Sequence, residues 1–369
     1  MKGFHGIIFA YSAAPELGSL VTERTAASVP FCGRYRLIDF ALSSLKNAGV
    51  LDVGVIMQRD YQSLLDHIGS SKAWDMSRKS GGLRMLPPFG LPVYHSGHYT
   101  GTMEALNGVH SYVEDIPQEN VILLLGNMCA NIDLEAAMKH HLASGAEMTA
   151  ICADHAPTDA PHRYVIGENG FVETLFFNRS AGYGLPSMEG YIVKKSALVD
   201  LMEKCRALNL HRFHRDAVSM FLRDGGKMSV YVHEGYARVI RTVEDYYTAS
   251  MDMLNSAKRA QVFPKDRPVR SKHVEGVSSY YSEQASSKNS LVADNCIIEG
   301  SIENCILFPR ARIAKGAVLK NCIIMQGGIV GENAKLEQVI ADKYVSFAPG
   351  TVITGSEKLP FVAPKASKL

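Results

Sequence analysis

Short apolar runs alternate with longer amphipathic stretches over the first 255 residues. Three of the runs are continuous and are bounded by polar or glycine residues, at positions 6–10, 53–57 and 121–125. A strand with one solvent-exposed face would alternate apolar and polar residues, and these runs do not alternate. They are therefore predicted to be strands that are buried on both faces of a parallel sheet.

Helical periodicity fills the stretches between the runs. One apolar stripe covers residues 36–47 and ends before Gly49, and a second helix is predicted over residues 133–141. Strands that alternate with helices of this length indicate βαβ units. Residues 1–255 are therefore predicted to form an α/β domain with a mostly parallel, Rossmann-like sheet.

The pattern changes after residue 255. Residues 256–290 contain few large aliphatic side chains and end in the serine-rich sequence VSSYYSEQASSKNS. Such composition is typical of a linker or an extended connection. We therefore expect a linker at 256–290, followed by a second domain at 291–369.

A short repeat occupies this last segment. Asn-Cys-Ile occurs at 295–297, 304–306 and 321–323, and Gln-Val-Ile follows at 338–340, so that the last three copies are 17 residues apart. Small aliphatic residues at roughly six-residue spacing, with Gly and Asn at the corners, are typical of a left-handed β-helix of hexapeptide repeats. Ordinary antiparallel strands are the alternative, which near-identical copies disfavour. The repeat cysteines are predicted to be small core residues rather than metal ligands.

Composition excludes several classes of protein. The chain has 369 residues, 46% of them hydrophobic, and a net charge of +2, which indicates neither a nucleic-acid interface nor a membrane-surface patch. No apolar run approaches the length of a membrane span, and the N-terminal apolar segment is too short for a signal peptide. Seven cysteines without metal-ligand spacing suit reduced thiols. We therefore expect a cytoplasmic protein.

Several separate segments occur in the same order as in one known family. They are VPF at 29–31, GRYRLIDF at 33–40, HIG to WD at 67–75, GGLRMLPP at 81–88, YTGT at 99–102, MDML at 251–254 and the junction at 288–308. Together they resemble the bacterial glucose-1-phosphate adenylyltransferases (ADP-glucose pyrophosphorylases) over nearly the whole chain. The resemblance implies a nucleotidyltransferase domain followed by a β-helix. It also implies a place in glycogen synthesis, a pathway step that uses ATP, glucose 1-phosphate and Mg²⁺.

The phosphate loop of that family reads Gly-Gly-x-Gly-x-Arg after the first strand. Here the three glycine positions hold Tyr11, Ser12 and Ala14, and the arginine position holds Glu16. Side chains at the glycine positions keep the backbone away from phosphates, and Pro15 lacks an amide donor. Glu16 places a negative charge where a triphosphate needs a positive one.

Three further positions of the family's site are replaced. The lysine of its Arg-Ala-Lys-Pro stretch corresponds to Ala26, and its two metal-binding aspartates correspond to Asn127 and Val239. An amide offers Mg²⁺ only a neutral oxygen, and valine offers no ligand. The resemblance therefore implies no catalytic residue, no metal-binding residue and no cofactor for this chain.

Five residues remain candidates for binding a ligand. Gly101 and Thr102 belong to a matching segment, and Arg179 keeps a cation where the family has the lysine of its sugar-phosphate stretch. Arg34 and Arg36 match basic positions that help the family to bind phosphorylated regulators, with solvated surface residues as the alternative.

One local difference lies in the sugar-phosphate region. Residues 176–180 replace the family's Phe-x-Glu-Lys-Pro, so the glutamate that binds the sugar is lost. Residues 187–190, Ser-Met-Glu-Gly, resemble the family's Ser-Met-Gly with one inserted residue.

An intact framework around an emptied site predicts a regulatory, catalytically impaired subunit, which resembles the GlgD-type partners of some Gram-positive bacteria. We expect it to pair with a catalytic adenylyltransferase subunit in an allosteric heterotetramer, to self-associate when alone, and to respond to a phosphorylated effector or sugar phosphate. The alternative is a slow nucleotidyltransferase that recruits Asp133, Glu104 or Asp245. A hexapeptide-repeat acyltransferase is excluded, because no histidine base occurs after His273.

Overall fold

A computed structural model of the chain describes residues 3–11, 14–79, 81–88, 99–154, 160, 162–177, 183–273 and 275–369. Within these ranges, the strands before the repeat region are β1 Phe4–Phe9, β2 Pro30–Phe31, β3 Tyr35–Arg36, β4 Val53–Ile56, β5 Leu83–Leu86, β6 Asn120–Leu125, β7 Met128–Ala130, β8 Met148–Ala153, β9 Arg163–Ile166, β10 Val172–Phe176, β11 Leu185–Lys194, β12 Met228–His233 and β13 Ala237–Val239. The α-helices are α1 Ile38–Asn47, α2 Gln62–Ile68, α3 Thr102–Gly108, α4 His110–Glu114, α5 Leu134–Ser144, α6 Lys195–Ala207, α7 Val218–Arg223, α8 Val243–Asp252 and α9 Ser256–Val262.

The largest sheet contains the three strands that the apolar runs predict. Its strands follow the order β10-β9-β11-β6-β1-β4-β5, with β8 beside β11 and β12 beside β8. β1 is parallel to both β4 and β6, and every residue of these three strands is buried. The sheet is mixed, because β11 is antiparallel to β6, β8 and β9. The predicted α/β domain is confirmed.

Helix boundaries differ slightly from the sequence pattern. α1 begins at Ile38 rather than at residue 36, because Arg36 pairs with Pro30 in the short β2–β3 hairpin. α5 begins directly after Asp133, whose carboxylate accepts a hydrogen bond of 2.9 Å from the amide of Ala136. In the described ranges, no helix has both the length and the apolarity that a membrane span requires.

The repeat region forms the predicted left-handed β-helix. Three parallel sheets of five strands each make its faces. Its strands are β14 Tyr280–Tyr281, β15 Ser286–Lys288, β16 Leu291–Val292, β17 Ile297–Ile298, β18 Ser301–Glu303, β19 Ile306–Leu307, β20 Arg312–Ile313, β21 Val318–Lys320, β22 Ile323–Ile324, β23 Ile329–Val330, β24 Lys335–Glu337, β25 Val339–Ala341, β26 Ser346–Phe347, β27 Val352–Thr354 and β28 Phe361–Ala363. The repeat cysteines Cys296, Cys305 and Cys322 are buried in its core and are free thiols.

The repeated Asn residues turn the corners of the β-helix. Asn304, Asn321 and Gln338 each have a φ of 52°, a left-handed conformation that asparagine tolerates better than most residues. Their side chains also form a ladder between coils. The amide nitrogen of Asn289 donates to the oxygen of Asn304 at 2.8 Å, and Asn304 donates to Asn321 at 3.1 Å. Backbone conformation and hydrogen bonding therefore favour the same residue type at this corner.

The described residues pack as two compact units, and each unit combines separate segments. The first comprises Met1–Ala13, Ile38–Val239 and Val262–Arg270, and the second comprises Ala14–Leu37, Ile240–Gln261 and Ser271–Leu369. The boundaries predicted at residues 255 and 290 cut the chain into consecutive pieces. Each unit of the structure instead contains three segments that are separated in the sequence. In addition, β14 and β15 lie within the predicted linker and pair with β17 and β18.

A buried ion pair joins the segment Ala14–Leu37 to the β-helix within the second unit. The guanidinium of Arg24 contacts the carboxylate of Asp342, and these side chains are 6% and 0% exposed. Arg24 also donates through Nε to the carbonyl oxygen of Leu20 at 2.8 Å. Glu23 and Lys365 form a second pair between the same two segments, but both of these side chains are exposed. Removing one partner of a buried pair leaves an uncompensated charge, so the Arg24 pair is the stronger link.

We predict that Arg24→Ala lowers the free energy of unfolding by about 3–5 kcal/mol, because Asp342 is left charged and buried. Urea unfolding followed by far-ultraviolet circular dichroism measures the loss. Glu23→Ala is the matched control, since it breaks the exposed pair, and it should destabilise the chain far less, because solvent screens exposed charges. Equal losses in the two variants would contradict the role given to the buried pair.

Candidate functional site

An aromatic ring occupies the first glycine position of the phosphate loop. Tyr11 follows β1 and is 7% exposed. Its ring packs edge-on against Phe9, with 6.0 Å between centroids, and lies 5.2 Å from the ring of Tyr99. Burial raises the pKa of Tyr11 well above its usual value, so the phenol stays neutral. The first glycine position of the loop therefore holds a buried aromatic side chain, where the family has backbone amides that a phosphate can approach. Ser12, at the second glycine position, lies outside the described residues.

The loop continues as a 3₁₀ turn over Pro15–Val21. Ala14, at the third glycine position, is buried, and Glu16 is exposed in the first turn. The carboxylate at the family's arginine position therefore faces solvent. A negative charge there repels an incoming polyphosphate.

No cation stands at the position of the family's lysine. Ala26 begins a second 3₁₀ turn, Ala26–Ser28, and is fully buried. The nearest basic residue in sequence is Arg24, which is engaged by Asp342 in the buried ion pair. The position of the family's lysine therefore supplies no charge for a phosphate.

The two replaced metal positions do lie close together. β7 begins directly after Asn127, and β13 ends at Val239, which is the register partner of Met128. Asn127 is buried, and Val239 packs against the apolar core. The Mg²⁺ of the family requires hard, charged oxygen ligands. One amide and one aliphatic side chain do not fit that ion.

The three carboxylates that could replace the lost ligands all serve the local backbone. Asp133 caps α5 and pairs with Arg267 at 2.7 Å. Glu104 accepts hydrogen bonds from the amide and the hydroxyl of Thr100 at 2.6 and 2.5 Å. Asp245 forms a capping box with Thr242 at the start of α8. Each would have to leave these partners before it could bind a metal.

Gly101 and Thr102 anchor the start of α3 to another backbone segment. A Cβ atom on Gly101 would lie 2.2 Å from the carbonyl oxygen of His211, so only glycine fits there. That oxygen accepts the amide of Met103 at 2.9 Å, and the hydroxyl of Thr102 accepts the amide of Phe213 at 3.4 Å. Both residues therefore have a structural role, and their binding of a ligand stays a prediction.

The sugar-phosphate region is described only in part. Arg179 lies outside the described residues, as do its neighbours Asn178 and Ser180. The inserted residue in 187–190 is a β-bulge, because the register of β11 against β8 shifts between Ser187 and Gly190.

A basic cluster surrounds Asp342 in the second unit. Arg34 is exposed at the β2–β3 hairpin, and Arg36 is half-buried. Burial, together with the charges of Arg36 and Arg24, lowers the pKa of Lys343 to about 8. The cations outnumber the one buried carboxylate, so a phosphate group bound here would relieve their repulsion. Arg34 and Arg36 are the two predicted anion contacts. Of these, Arg36 is the one whose charge acts on Lys343, so it belongs to this cluster.

The structure also brings together three residues that the sequence gives little reason to associate. His162, Glu189 and His214 each place one potential ligand atom within 4.8 Å of the others. They are far apart in the chain and show no metal-ligand spacing. The insertion at Glu189 is the single local signal that marks one of them.

These features define a class of protein, a nucleotidyltransferase-type α/β domain joined to a hexapeptide β-helix. A model of the family described as nucleotidyl transferase matches residues 6–256, and one described as GlmU-like, C-terminal hexapeptide matches residues 274–359.

Known relatives narrow this class. The chain is 31% identical to the glycogen biosynthesis protein GlgD of Bacillus subtilis (strain 168), over 98% of this chain and 95% of that protein. It is 28% identical to the glucose-1-phosphate adenylyltransferases of Bacillus anthracis and Bacillus cereus (strain Q1), over 94% of this chain and 93% of each relative. The chain belongs to the glucose-1-phosphate adenylyltransferase family of nucleotidyl transferases.

We predict that Arg36→Gln raises the pKa of Lys343 from about 8 toward its ordinary value of 10.5, because one of the charges that repel its proton is removed. The pH dependence of Lys343 acetylation, followed by mass spectrometry, measures this change. Arg312→Gln, which removes an exposed arginine from β20, is the control and should leave the profile unchanged. An unchanged profile in Arg36→Gln would show that the two side chains do not interact.

The lowered pKa of Lys343 also determines how this residue makes the free energy of unfolding depend on pH. Between about pH 8 and pH 10.5 the unfolded chain holds a proton on Lys343 that the folded chain has lost. The Lys343 contribution to the free energy of unfolding therefore rises with pH across this window.

Proposed function

We propose that this chain is a regulatory, catalytically impaired subunit that pairs with a catalytic homologue in ADP-glucose synthesis for glycogen. The main support is the combination of an emptied phosphate and metal site with an intact framework. Tyr11, Ala26, Asn127 and Val239 replace the groups on which the family's chemistry depends, while the sheet and the β-helix are retained. The relative named glycogen biosynthesis protein GlgD supports the same pathway.

Normal catalysis is disfavoured because the site lacks the positive charges that would neutralise the phosphates. Transfer of a nucleotidyl group depends on positioning the phosphates and neutralising their charge. Here the loop offers an aromatic ring and the exposed carboxylate of Glu16, and no lysine stands at residue 26. Without these groups and the metal between them, a triphosphate would be neither held nor activated.

The alternative function, a slow nucleotidyltransferase, is less well supported. It requires a carboxylate from Asp133, Glu104 or Asp245 to replace the lost metal ligands. Each of these is committed to a helix terminus or to a neighbouring backbone amide by hydrogen bonds of about 2.5–3.1 Å. Recruiting Asp133 or Asp245 would cost a helix cap, typically about 1 kcal/mol, and any one of the three would still leave the second ligand missing.

Regulation requires two properties of this chain. It must bind the catalytic homologue, and its conformational preference must change the equilibrium or the turnover of that partner. Arg36 of the β2–β3 hairpin and Lys343 of the β-helix repel each other in the cluster that could hold a phosphate, and a bound anion would attract both. A phosphorylated effector bound there would bias the conformation of the second unit. We expect the complex to be a heterotetramer.

The test is to mix the purified chain with its catalytic homologue. The chain alone should form no ADP-glucose, the mixture should elute as a complex on size exclusion, and the kcat or KM of the homologue should change on mixing. Separate elution together with unchanged kinetics would rule out a regulatory role.

A pair of variants can separate assembly from effector response. Arg36→Gln should still form the complex but should weaken the response to phosphorylated effectors, because it removes a charge from the cluster. Arg312→Gln is the matched control and should retain both properties. Loss of the complex in Arg36→Gln alone would assign this residue to assembly instead.

A further inference from the structure

The cluster of His162, Glu189 and His214 has the composition of a metal site. The three potential ligand atoms lie within 4.8 Å of one another, and His162 is 0% exposed. The described residues contain one other such group, His110, Glu114 and Glu203, which is more exposed. Two imidazoles and one carboxylate are a donor set typical of zinc sites.

A strained backbone positions the carboxylate. Glu189 has a φ of 56° and lies in the bulge of β11, where its amide nitrogen donates to the hydroxyl of Ser187 at 3.0 Å. A non-glycine residue at positive φ is uncommon, and bulges recur at functional sites, where they re-aim a side chain. In this case the bulge brings an acidic side chain to a histidine pair.

A π-helical turn positions the second histidine. His214 lies in the turn Phe213–Ala217, and single π turns are frequent at functional sites. The carboxylate of Asp216 fixes the start of the turn by accepting the amides of His211 and Arg212 at 3.2 and 2.9 Å. The ring of His214 stacks on that of His162, with 4.6 Å between centroids and 5° between planes.

Two buried tyrosines orient the first histidine. Nε2 of His162 lies 3.1 Å from the hydroxyl oxygens of both Tyr164 and Tyr191. An Nε2–H that donates to a hydroxyl places the ring's lone pair on Nδ1. A histidine that binds a metal through one ring nitrogen usually donates a hydrogen bond from the other nitrogen, and this bond fixes the orientation of the ring.

We propose that His162, Glu189 and His214 bind one divalent transition-metal ion, with Zn²⁺ as the best match. A tetrahedral zinc with ligands at about 2.1 Å places its ligand atoms about 3.4 Å apart. To reach that geometry the ligand atoms must move closer together, and the stacked rings of His162 and His214 must rotate, because the ion has to lie in the plane of each imidazole. Three protein ligands leave a fourth position for water or an exogenous ligand. Mg²⁺ is disfavoured, because it prefers oxygen ligands in an octahedral arrangement.

This site is distinct in residues and in chemistry from the lost Mg²⁺ site. It uses neither Asn127 nor Val239, and it does not depend on the proposed regulatory function. A bound ion would join β11, the residue before β9 and the π-helical turn. It would therefore stabilise the first unit by mass action as the concentration of free metal rises.

The direct test is to titrate the chelator-treated, full-length chain with Zn²⁺ in a calorimeter and to record its thermal unfolding. We expect one Zn²⁺ per chain and a melting temperature that rises with Zn²⁺. Glu189→Gln and His214→Gln should each weaken binding at least about 100-fold. His110→Gln, in the other cluster, is the matched control and should leave the affinity unchanged. An excess of Mg²⁺ should not displace the ion.

Co²⁺ gives a readout that does not depend on any variant. Bound to the wild-type chain, Co²⁺ should develop the intense visible absorption of a four- or five-coordinate site, and Zn²⁺ should abolish it. The weak spectrum of hexaaqua Co²⁺ would overturn the proposal. Zn²⁺ affinity that is insensitive to both Glu189→Gln and His214→Gln would also overturn it, because the ion would then be bound elsewhere.

Discussion

The buried pair between Arg24 and Asp342 is the constraint on which the arrangement of the second unit depends. It joins the altered loop segment Ala14–Leu37 to the β-helix, and both of its side chains are buried. An uncompensated buried charge is costly, so the pair holds that segment in one place. The turn at Gly33, which lies against Leu307, adds to the same attachment. A segment that in the catalytic family serves phosphates is here part of a structural framework.

The fold could be predicted from the sequence wherever burial leaves a local pattern. β1, β4 and β6 are buried on both faces, so their apolar runs are continuous, and successive coils of the β-helix place Asn or Gln at the same corner. Features that depend on distant segments left no such pattern. The antiparallel direction of β11 and the discontinuous composition of the two units both depend on partners far away in the chain.

In the candidate site, too, some features could be predicted from the sequence and others could not. Replacements at Tyr11, Glu16, Ala26, Asn127 and Val239 could be read directly, because a known motif fixes what each position must supply. Their present roles could not be read, since core packing and helix capping depend on neighbours in space. The cluster around Glu189 shows this limit most clearly, because its three members come from separate elements and only the bulge left a trace in the sequence. Together these observations describe a body that has kept its framework while the groups for phosphate chemistry have been replaced.

Catalytic impairment of this chain is tested most directly by measuring ADP-glucose synthesis in a complex in which only this chain retains its natural sequence. The catalytic homologue would carry Asp→Asn substitutions at both of its own metal-binding positions, and the assembled complex would be isolated before assay. If this chain is catalytically impaired, the complex should form no more ADP-glucose than the disabled homologue alone, whatever effector is added. Mg²⁺-dependent turnover by this complex would contradict it, because the activity could come only from the chain described here.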